Sequence, residues 1–520
     1  MARRPGSSNR RHAGGAPAPR RAPRLPPFPA TAKTRVMPGA PLVLHNSLSR
    51  ADEVFVPLDP ANLRVYSCGP TVYHYAHIGN LRAYVFTDTL VRVLRWKAGD
   101  MGWGATTHVL NITDVGHLTS DADAGDDKME ARAKATGQDI WAIAAHYTAA
   151  FKANLADLNI AAPTHMPLAT DHVGGMIDWG QRIEARHCYR LPDGLYFDVT
   201  SVPDYGRLAR QVADEGESRI EEVAGKRHPA DFAIWRTSQP GENRQMEWDS
   251  PWGRGAPGWH LECSVMSHRY LGERFDIHTG GIDHREIHHP NEIAQNQARS
   301  GTPDTGATLW LHNNFLVERT GKMSKSGGGF TTLATLVEAG FHPLAYRLMC
   351  LQAQYRSELE FSWENLAAAQ TRLKRLVQAV ATLKAQPERP SAGSAASYRE
   401  QLDTAVSDDL NTPRALPVLD ALLADKRVSA ADRLAALADF DAVLGLDLLA
   451  LTREGLRVRP AGAGIEAQGV AAHLAERREA RAAKDFARSD AIRDELAAAG
   501  VEVMDGDPLG WDWKLRAPGS

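Results

Sequence analysis

Apolar positions along this chain repeat with two different periods, and each change of period marks a boundary. From Asn62 the residues Leu63 and Val65 fall on one side of a short strand, the every-second-residue pattern of extended chain. After Cys68-Gly69-Pro70-Thr71 and His77-Ile78-Gly79-Asn80, the residues Leu81, Tyr84, Val85 and Val91 share one face at helical spacing. A strand is therefore expected to hand over to a helix N-terminus at His77 to Asn80. Beyond Phe330 the chain turns rich in Ala and Leu, and Leu373, Leu376, Val377, Val380 and Leu383 form a helical stripe. Pro387 to Ser397 reads as a linker, and Asp409-Leu410-Asn411-Thr412-Pro413 opens another helix, with a cap residue before Pro413 at the first helical position. No apolar run reaches the roughly 18 residues that a membrane span needs, so no membrane is expected among the partners.

Composition adds size and compartment. The 520 residues are 43% hydrophobic and 24% charged, enough for several soluble domains with buried cores. Cys68, Cys188, Cys263 and Cys350 are too sparse for a disulfide scaffold. They suit a reducing compartment, the cytoplasm, and a metal or catalytic role. Charge is unevenly spread. Residues 1 to 36 hold nine Arg or Lys and no Asp or Glu, which leaves the remainder at about −12 although the whole chain is −3. Dense prolines, Pro17, Pro19, Pro23, Pro26, Pro27 and Pro29, block the amphipathic helix of a mitochondrial transit peptide. Residues 1–38 are read as a disordered basic extension able to touch RNA.

The His77 to Asn80 segment sits where a helix N-terminus favours an anion. Unpaired N–H groups and the helix dipole attract phosphate, Gly79 permits close approach, and the His77 imidazole can donate to a phosphate oxygen. Far downstream, Lys322-Met323-Ser324-Lys325-Ser326 precedes Gly327 to Gly329. Two ammonium groups on a glycine-rich loop suit the charge that develops as pyrophosphate leaves an α-phosphate. With this pair of motifs the chain resembles the class I aminoacyl-tRNA synthetases, whose two signatures they are. Soft thiols, imidazole and carboxylate at Cys68, Cys263, His288 and Glu292 suit a zinc ion. His288 and Glu292 are one helical turn apart if Pro290 lies in a first turn; spacing alone does not join them to Cys68 and Cys263.

Cys68-Gly69-Pro70-Thr71-Val72-Tyr73, Gly258-Trp259-His260-Leu261-Glu262-Cys263 and the segment His288 to Gln295 together resemble the cysteinyl-tRNA synthetase family, from about residue 40 to the C-terminus. The resemblance implies one Zn2+ per chain on Cys68, Cys263, His288 and Glu292, which recognises the substrate. It also implies Thr71, Trp259 and Asp283 around the cysteine, with Asp283 facing its ammonium. His77, Gly79, Asn80 and Lys325 would bind ATP, and His77, Asn80, Lys322 and Lys325 would serve catalysis, with Mg2+ accompanying the ATP. Zinc answers a physical problem: cysteine and serine differ little in shape, whereas a soft metal prefers sulfur, so no editing domain is required. The stretch from Tyr196 to Ala256 is indeed short for one. Two segments depart from the commonest family pattern, Gly280 to Ile287 and the insert Val115 to Asp126. His284, within the first, is a candidate partner for a metal-bound imidazole.

The resemblance extends to the C-terminus, where Arg481, Asp490 and Asp505 match anticodon-contacting positions and Trp511 and Trp513 are neighbours to them. The implied fold is α/β: a Rossmann-like catalytic domain with a connective insertion, an all-α helical bundle and a small C-terminal anticodon-binding module. The expected divisions are 1–38 extension; 39–160 first catalytic half; 161–256 connective insertion; 257–335 second catalytic half with zinc site and signature loop; 336–392 stem-contact region; 393–460 bundle; 461–520 anticodon module. The implied activity is ligation of L-cysteine to cysteine tRNA at the expense of ATP, by a monomer. The alternatives are a cysteine ligase acting on a small amino-sugar acceptor of the mycothiol type, which lacks the anticodon module, and a synthetase-like RNA-binding protein without catalysis.

Overall fold

The computed structural model describes residues 39–115, 128–209, 225–242, 244–318, 321–322, 331–507 and 509–516. The basic extension 1–38, nearly all of the Val115 to Asp126 insert, and Met323 to Phe330 with Lys325 lie outside the described residues; of Lys322 only the backbone is described.

Four parallel strands form the central sheet, in the order Ala307–Asn313, Phe275–Gly281, Asn62–Ser67, Ala105–Leu110. Parallel neighbours need crossovers, and the helix Ile78–Met101 supplies the first. Alternation within Asn62–Ser67 sends Leu63 and Val65 into one core and Tyr66 into another on the opposite face, all three fully buried. From the central pair, one half of the chain builds outward to Ala105–Leu110 and the other to Ala307–Asn313. The strand order thus reverses between Asn62–Ser67 and Phe275–Gly281, and the crevice at the carboxyl ends of such a pair is where α/β sheets bind ligands. Cys68 ends one of these strands and Asp283 follows the other. Gly69 is required there, because a Cβ would lie 1.5 Å from the Asn111 carbonyl oxygen.

Between the two halves lies a four-stranded antiparallel sheet, Cys188–Leu191, Gly194–Phe197, Phe232–Thr237 and Gly255–Pro257, with the helix Val173–His187 beside it. The chain returns through Gly258 into the helix Trp259–Leu271; a side chain at Gly258 would meet the Ala233 carbonyl oxygen at 1.8 Å.

The Leu373 to Leu383 stripe lies on the helix Trp363–Lys384, buried against Thr412–Ala424 and Ala430–Leu444 in the core that also receives Leu63 and Val65. Two boundaries differ from the sequence reading. The linker ends at Ala395, where Ala396–Ser407 begins. Asn411, not Thr412, caps the next helix, because its side chain accepts from Arg414 N at 3.2 Å, so Pro413 is its second residue. The last unit packs Ala467–Ala482, Phe486–Ala498 and the antiparallel pair Val501–Val503 with Trp511–Trp513 around Val470, Ile492, Leu496 and Val501.

Arg347 pins the catalytic sheet to the bundle. Fully buried, it donates to Asp88 Oδ2 at 2.5 Å, to Leu158 O at 3.0 Å and to Leu444 O at 2.7 Å. Burial alone would raise the Asp88 carboxyl, but the Arg347 and Arg92 guanidiniums hold it below the usual carboxylate range. A depressed carboxylate stabilises the fold above its unfolded pKa of about 3.9 and loses that contribution as pH falls through the folded value. Arg347→Met should therefore cost about 3 kcal/mol at neutral pH, the low end for removing one partner of a buried ion pair, because Arg92 stays on Asp88 at 2.6 Å. In denaturant titrations the gap to wild type should shrink below about pH 4, as Asp88 protonates in both proteins.

Candidate active site

Four donors converge where the two central strands end. Cys68 follows Ser67, Cys263 lies on the second turn of Trp259–Leu271, and His288 and Glu292 sit one turn apart on His288–Ser300. All four are buried, and their donor atoms lie within 4.8 Å of one another. Cys68 Sγ is 3.8 Å from Cys263 Sγ and 3.8 Å from Glu292 Oε1, and His288 Nε2 is 3.2 Å from Glu292 Oε1. The hydrogen bond between the two thiols brings Cys263 down to about 6, against the opposing effect of burial. Burial would lower His288, yet Cys263 and Glu292 carry it to about 10. Burial would likewise raise Glu292, yet His278 and His288 hold it at about 2. Two thiols and a carboxylate in one dry volume are a donor set suited to a cation.

Behind these donors stands a layer that sequence reasoning missed. His278, on Phe275–Gly281, bonds Glu292 Oε2 at 2.9 Å through Nε2. His289 Nε2 lies 3.3 Å from Cys68 Sγ, and its Nδ1 lies 2.8 Å from His312 Nε2, whose Nδ1 is 2.8 Å from Ser47 Oγ. Cys68, His278, His289 and Glu292 form a second set within 4.8 Å. The available signal was a histidine inside each of two apolar strands, His278 at the middle of one and His312 near the carboxyl end of the other; strand order was needed to bring them together. His260 Nδ1 reaches His288 Nδ1 at 3.0 Å, so His260 occupies the partner position expected of His284. The His284 ring stands 5.1 Å from that of His288.

The first signature closes on itself. His77 caps Ile78–Met101: its Nδ1 accepts from Asn80 N at 3.2 Å, while Asn80 Oδ1 accepts from His77 N at 3.3 Å. With Nδ1 fixed as acceptor, a neutral imidazole carries its proton on Nε2, a donor for an anion at the helix start. Gly79 permits this fold-back, since a Cβ would lie 2.9 Å from the His77 ring. Lys322 pairs with Val317 across a short antiparallel ladder, and Thr331 O accepts from Ile78 N at 2.9 Å. Both ends of the second signature's loop are thereby rooted beside that helix.

A cleft of about 990 Å³ joins these parts; Cys68, Thr71, His77, Gly79, Asn80, Trp259, Cys263, Asp283 and His288 all line it. Trp259 covers the His288 ring at 4.6 Å between centroids. Thr71 is bridged to Thr113, and Asp283 is exposed at the mouth.

In the last unit, Asp505 takes both guanidinium nitrogens of Arg477 at 2.9 and 3.0 Å and one from Arg481 at 3.3 Å. Asp490, on the neighbouring helix, pairs with Arg493 at 3.3 Å. Trp511 and Trp513 do not stand beside these as surface rings: both are buried, edge to face at 4.9 Å, with Arg457 over Trp511 at 4.1 Å. The exposed aromatic is Phe486, 62% accessible at the start of Phe486–Ala498.

Residues 54–371 match the model of the tRNA synthetases class I (C) catalytic domain. Residues 467–508 match that of the cysteinyl-tRNA ligase anticodon binding domain. The Cysteine--tRNA ligase of Novosphingobium aromaticivorans is 61% identical over 487 residues, covering 92% of this chain and 98% of that protein. The chain belongs to the cysteinyl-tRNA synthetase family. The Cysteine--tRNA ligase of Zymomonas mobilis is 54% identical over 92% of this chain and 98% of its own length. Cysteine--tRNA ligase 1 of Burkholderia lata is 47% identical over 89% and 95%. Membership gives the α/β class I fold and the ligase reaction class, with a buried Cys/His/Glu group able to hold a metal.

Elemental analysis of the purified protein should find about one divalent metal per chain, reduced severalfold or more in Cys263→Ser. His278→Gln should keep the stoichiometry but weaken metal retention against a chelator about 10- to 100-fold, since it removes the hydrogen bond that orients Glu292.

Proposed function

We propose that this chain activates L-cysteine with ATP as cysteinyl-adenylate and transfers it to the 3′ end of cysteine tRNA. The observation that carries the reading over an amino-sugar ligase is the C-terminal unit, whose residues 467–508 match the anticodon-binding family. We assign the metal as one Zn2+ on Cys68, Cys263, His288 and Glu292. With Zn–S of about 2.3 Å and Zn–N or Zn–O of about 2.0 Å, a tetrahedron has edges of about 3.8 Å between sulfurs and about 3.3 Å between nitrogen and oxygen. The observed 3.8 and 3.2 Å agree with those edges. When bound, zinc supplies a soft Lewis acid that favours a thiol over the serine hydroxyl.

The chain's own groups do the rest. Asp283, at the cleft mouth, faces the substrate ammonium, and Thr71 and Trp259 close the pocket around the short side chain. His77 Nε2–H, Asn80 and the helix N-terminus beside Gly79 hold phosphate oxygens, so the substrate carboxylate meets the α-phosphate in line. Lys322 and Lys325 offset the charge growing on the leaving pyrophosphate; a Mg2+ accompanying the ATP would supply further charge neutralisation there. Such catalysis is positioning and electrostatics. Arg481, Asp490 and Asp505 read anticodon bases, with Phe486 as a stacking surface for an unpaired base.

The four unpaired cysteines suit a reducing compartment, and we assign the protein to the cytoplasm as a monomer. Among the described residues no helix is long and apolar enough to cross a membrane. Cysteine-dependent ATP–pyrophosphate exchange followed by acylation assays tests the reading. Activity should pass to cysteine tRNA and not to an amino-sugar acceptor; the reverse result would reject the assignment. Phe486→Ala should lower kcat/KM for tRNA roughly tenfold or more, the scale of one lost stacking contact, and leave exchange unchanged.

A further inference from the structure

The same cleft has an aromatic lining that neither signature uses. His74, Tyr75 and Tyr147 line it. Tyr75 is 45% exposed, packs edge-on against Tyr147 at 5.0 Å between centroids, and its hydroxyl is 2.9 Å from His146 Nε2. Tyr147 is buried and lies parallel to the His74 ring at 6.1 Å and 7°. Its hydroxyl accepts from Arg132 at 3.1 Å. The outcome is an aromatic step with two exposed rings, His74 and Tyr75, the second of them two residues before His77 and backed edge-on by Tyr147.

Sheet order says which substrate meets this step. The Lys322 loop continues from Ala307–Asn313 at one edge of the sheet, so triphosphate held between that loop and the His77 helix lies toward that edge. The step leans on the helix Ile140–Asp157, which follows Ala105–Leu110 at the opposite edge. The next face of the same helix, through Ala144, Thr148 and Lys152, lines a groove of about 1270 Å³ that also contains Arg269, His165 and Tyr270. Two carboxylates lie there too: that of Asp114 already accepts from Thr170 N at 2.9 Å and Thr170 Oγ1 at 2.6 Å, and that of Asp171 is exposed, against the cations of Lys152 and Arg269. A groove of that volume with cations and aromatics suits a few unpaired nucleotides.

We propose that the terminal adenosine of the tRNA stacks on Tyr75, with the preceding single-stranded nucleotides running along the groove past Lys152 and Arg269. Tyr75 is then a positioning residue that aims the terminal ribose hydroxyl at the adenylate carbonyl. The proposal rests on the tRNA ligase reading.

The test is single-turnover transfer from preformed cysteinyl-adenylate, run beside ATP–pyrophosphate exchange on the full-length protein. Tyr75→Ala should slow transfer about tenfold or more, with KM for ATP in exchange unchanged; Tyr75→Phe, which keeps the ring, should stay within about threefold of wild type. An abasic 3′-terminal nucleotide should slow wild type by a similar factor and cause little further loss in Tyr75→Ala. Lys152→Glu should raise KM for tRNA alone. A raised KM for ATP in Tyr75→Ala would assign the step to the ATP adenine and overturn the proposal, as would full multiplication of the two losses. Absence of tRNA acylation in wild type that still catalyses exchange would instead overturn the underlying ligase reading.

Discussion

Two thiols, an imidazole and a carboxylate share one dry volume at the ends of two adjacent strands, and the rest of the catalytic half serves to keep them there. Two thiols and a carboxylate held at 3.8 Å are costly to ionise together in a low-dielectric interior unless a cation and well-placed donors compensate. His278 on Glu292, and the run from His289 through His312 to Ser47, are such groups, drawn from two neighbouring strands and the His288–Ser300 helix beside them. The reversal of strand order is what makes that possible, because it sets the ends of Asn62–Ser67 and Phe275–Gly281 side by side. Gly69 and Gly258 supply the close backbone approaches without which Cys68 and Cys263 would stand too far apart.

The same reversal aligns the chemistry. The metal-type donors lie at one end of the cleft, and the self-capped His77 presents a helix N-terminus along it. A small substrate seated on the donors therefore directs its other end toward the phosphate position. Selection by sulfur affinity and activation at phosphate become properties of one short vector. Arg347 then carries the position of the Ile78–Met101 helix into the bundle through Asp88 and Leu444, so the bundle is built on the frame that holds the first signature.

The local periods were enough to place the first strand, the helix beginning at Ile78 and the Leu373 to Leu383 stripe, because each depends on residues close in sequence. The place of His77 at a helix N-terminus was legible for the same reason. The donor set was legible only through resemblance, since Cys68 and Cys263 are 195 positions apart and no local rule joins them. What escaped was non-local: the histidine layer needs the order of three strands, and His260 replaces His284 as partner of His288 because a helix face, not a loop, is turned toward it. Trp511 and Trp513 are expected from the resemblance only as neighbours of the anticodon-contacting positions; with few other large apolar groups, that small unit uses both as core.

Selection of sulfur by the buried donors is the central claim, and X-ray absorption at the metal edge tests it most directly. The account predicts two sulfur neighbours in the free protein, three after addition of cysteine, and two after addition of serine. Two sulfurs in all three samples would contradict it, leaving the buried group a structural centre and placing selection of cysteine elsewhere in the cleft.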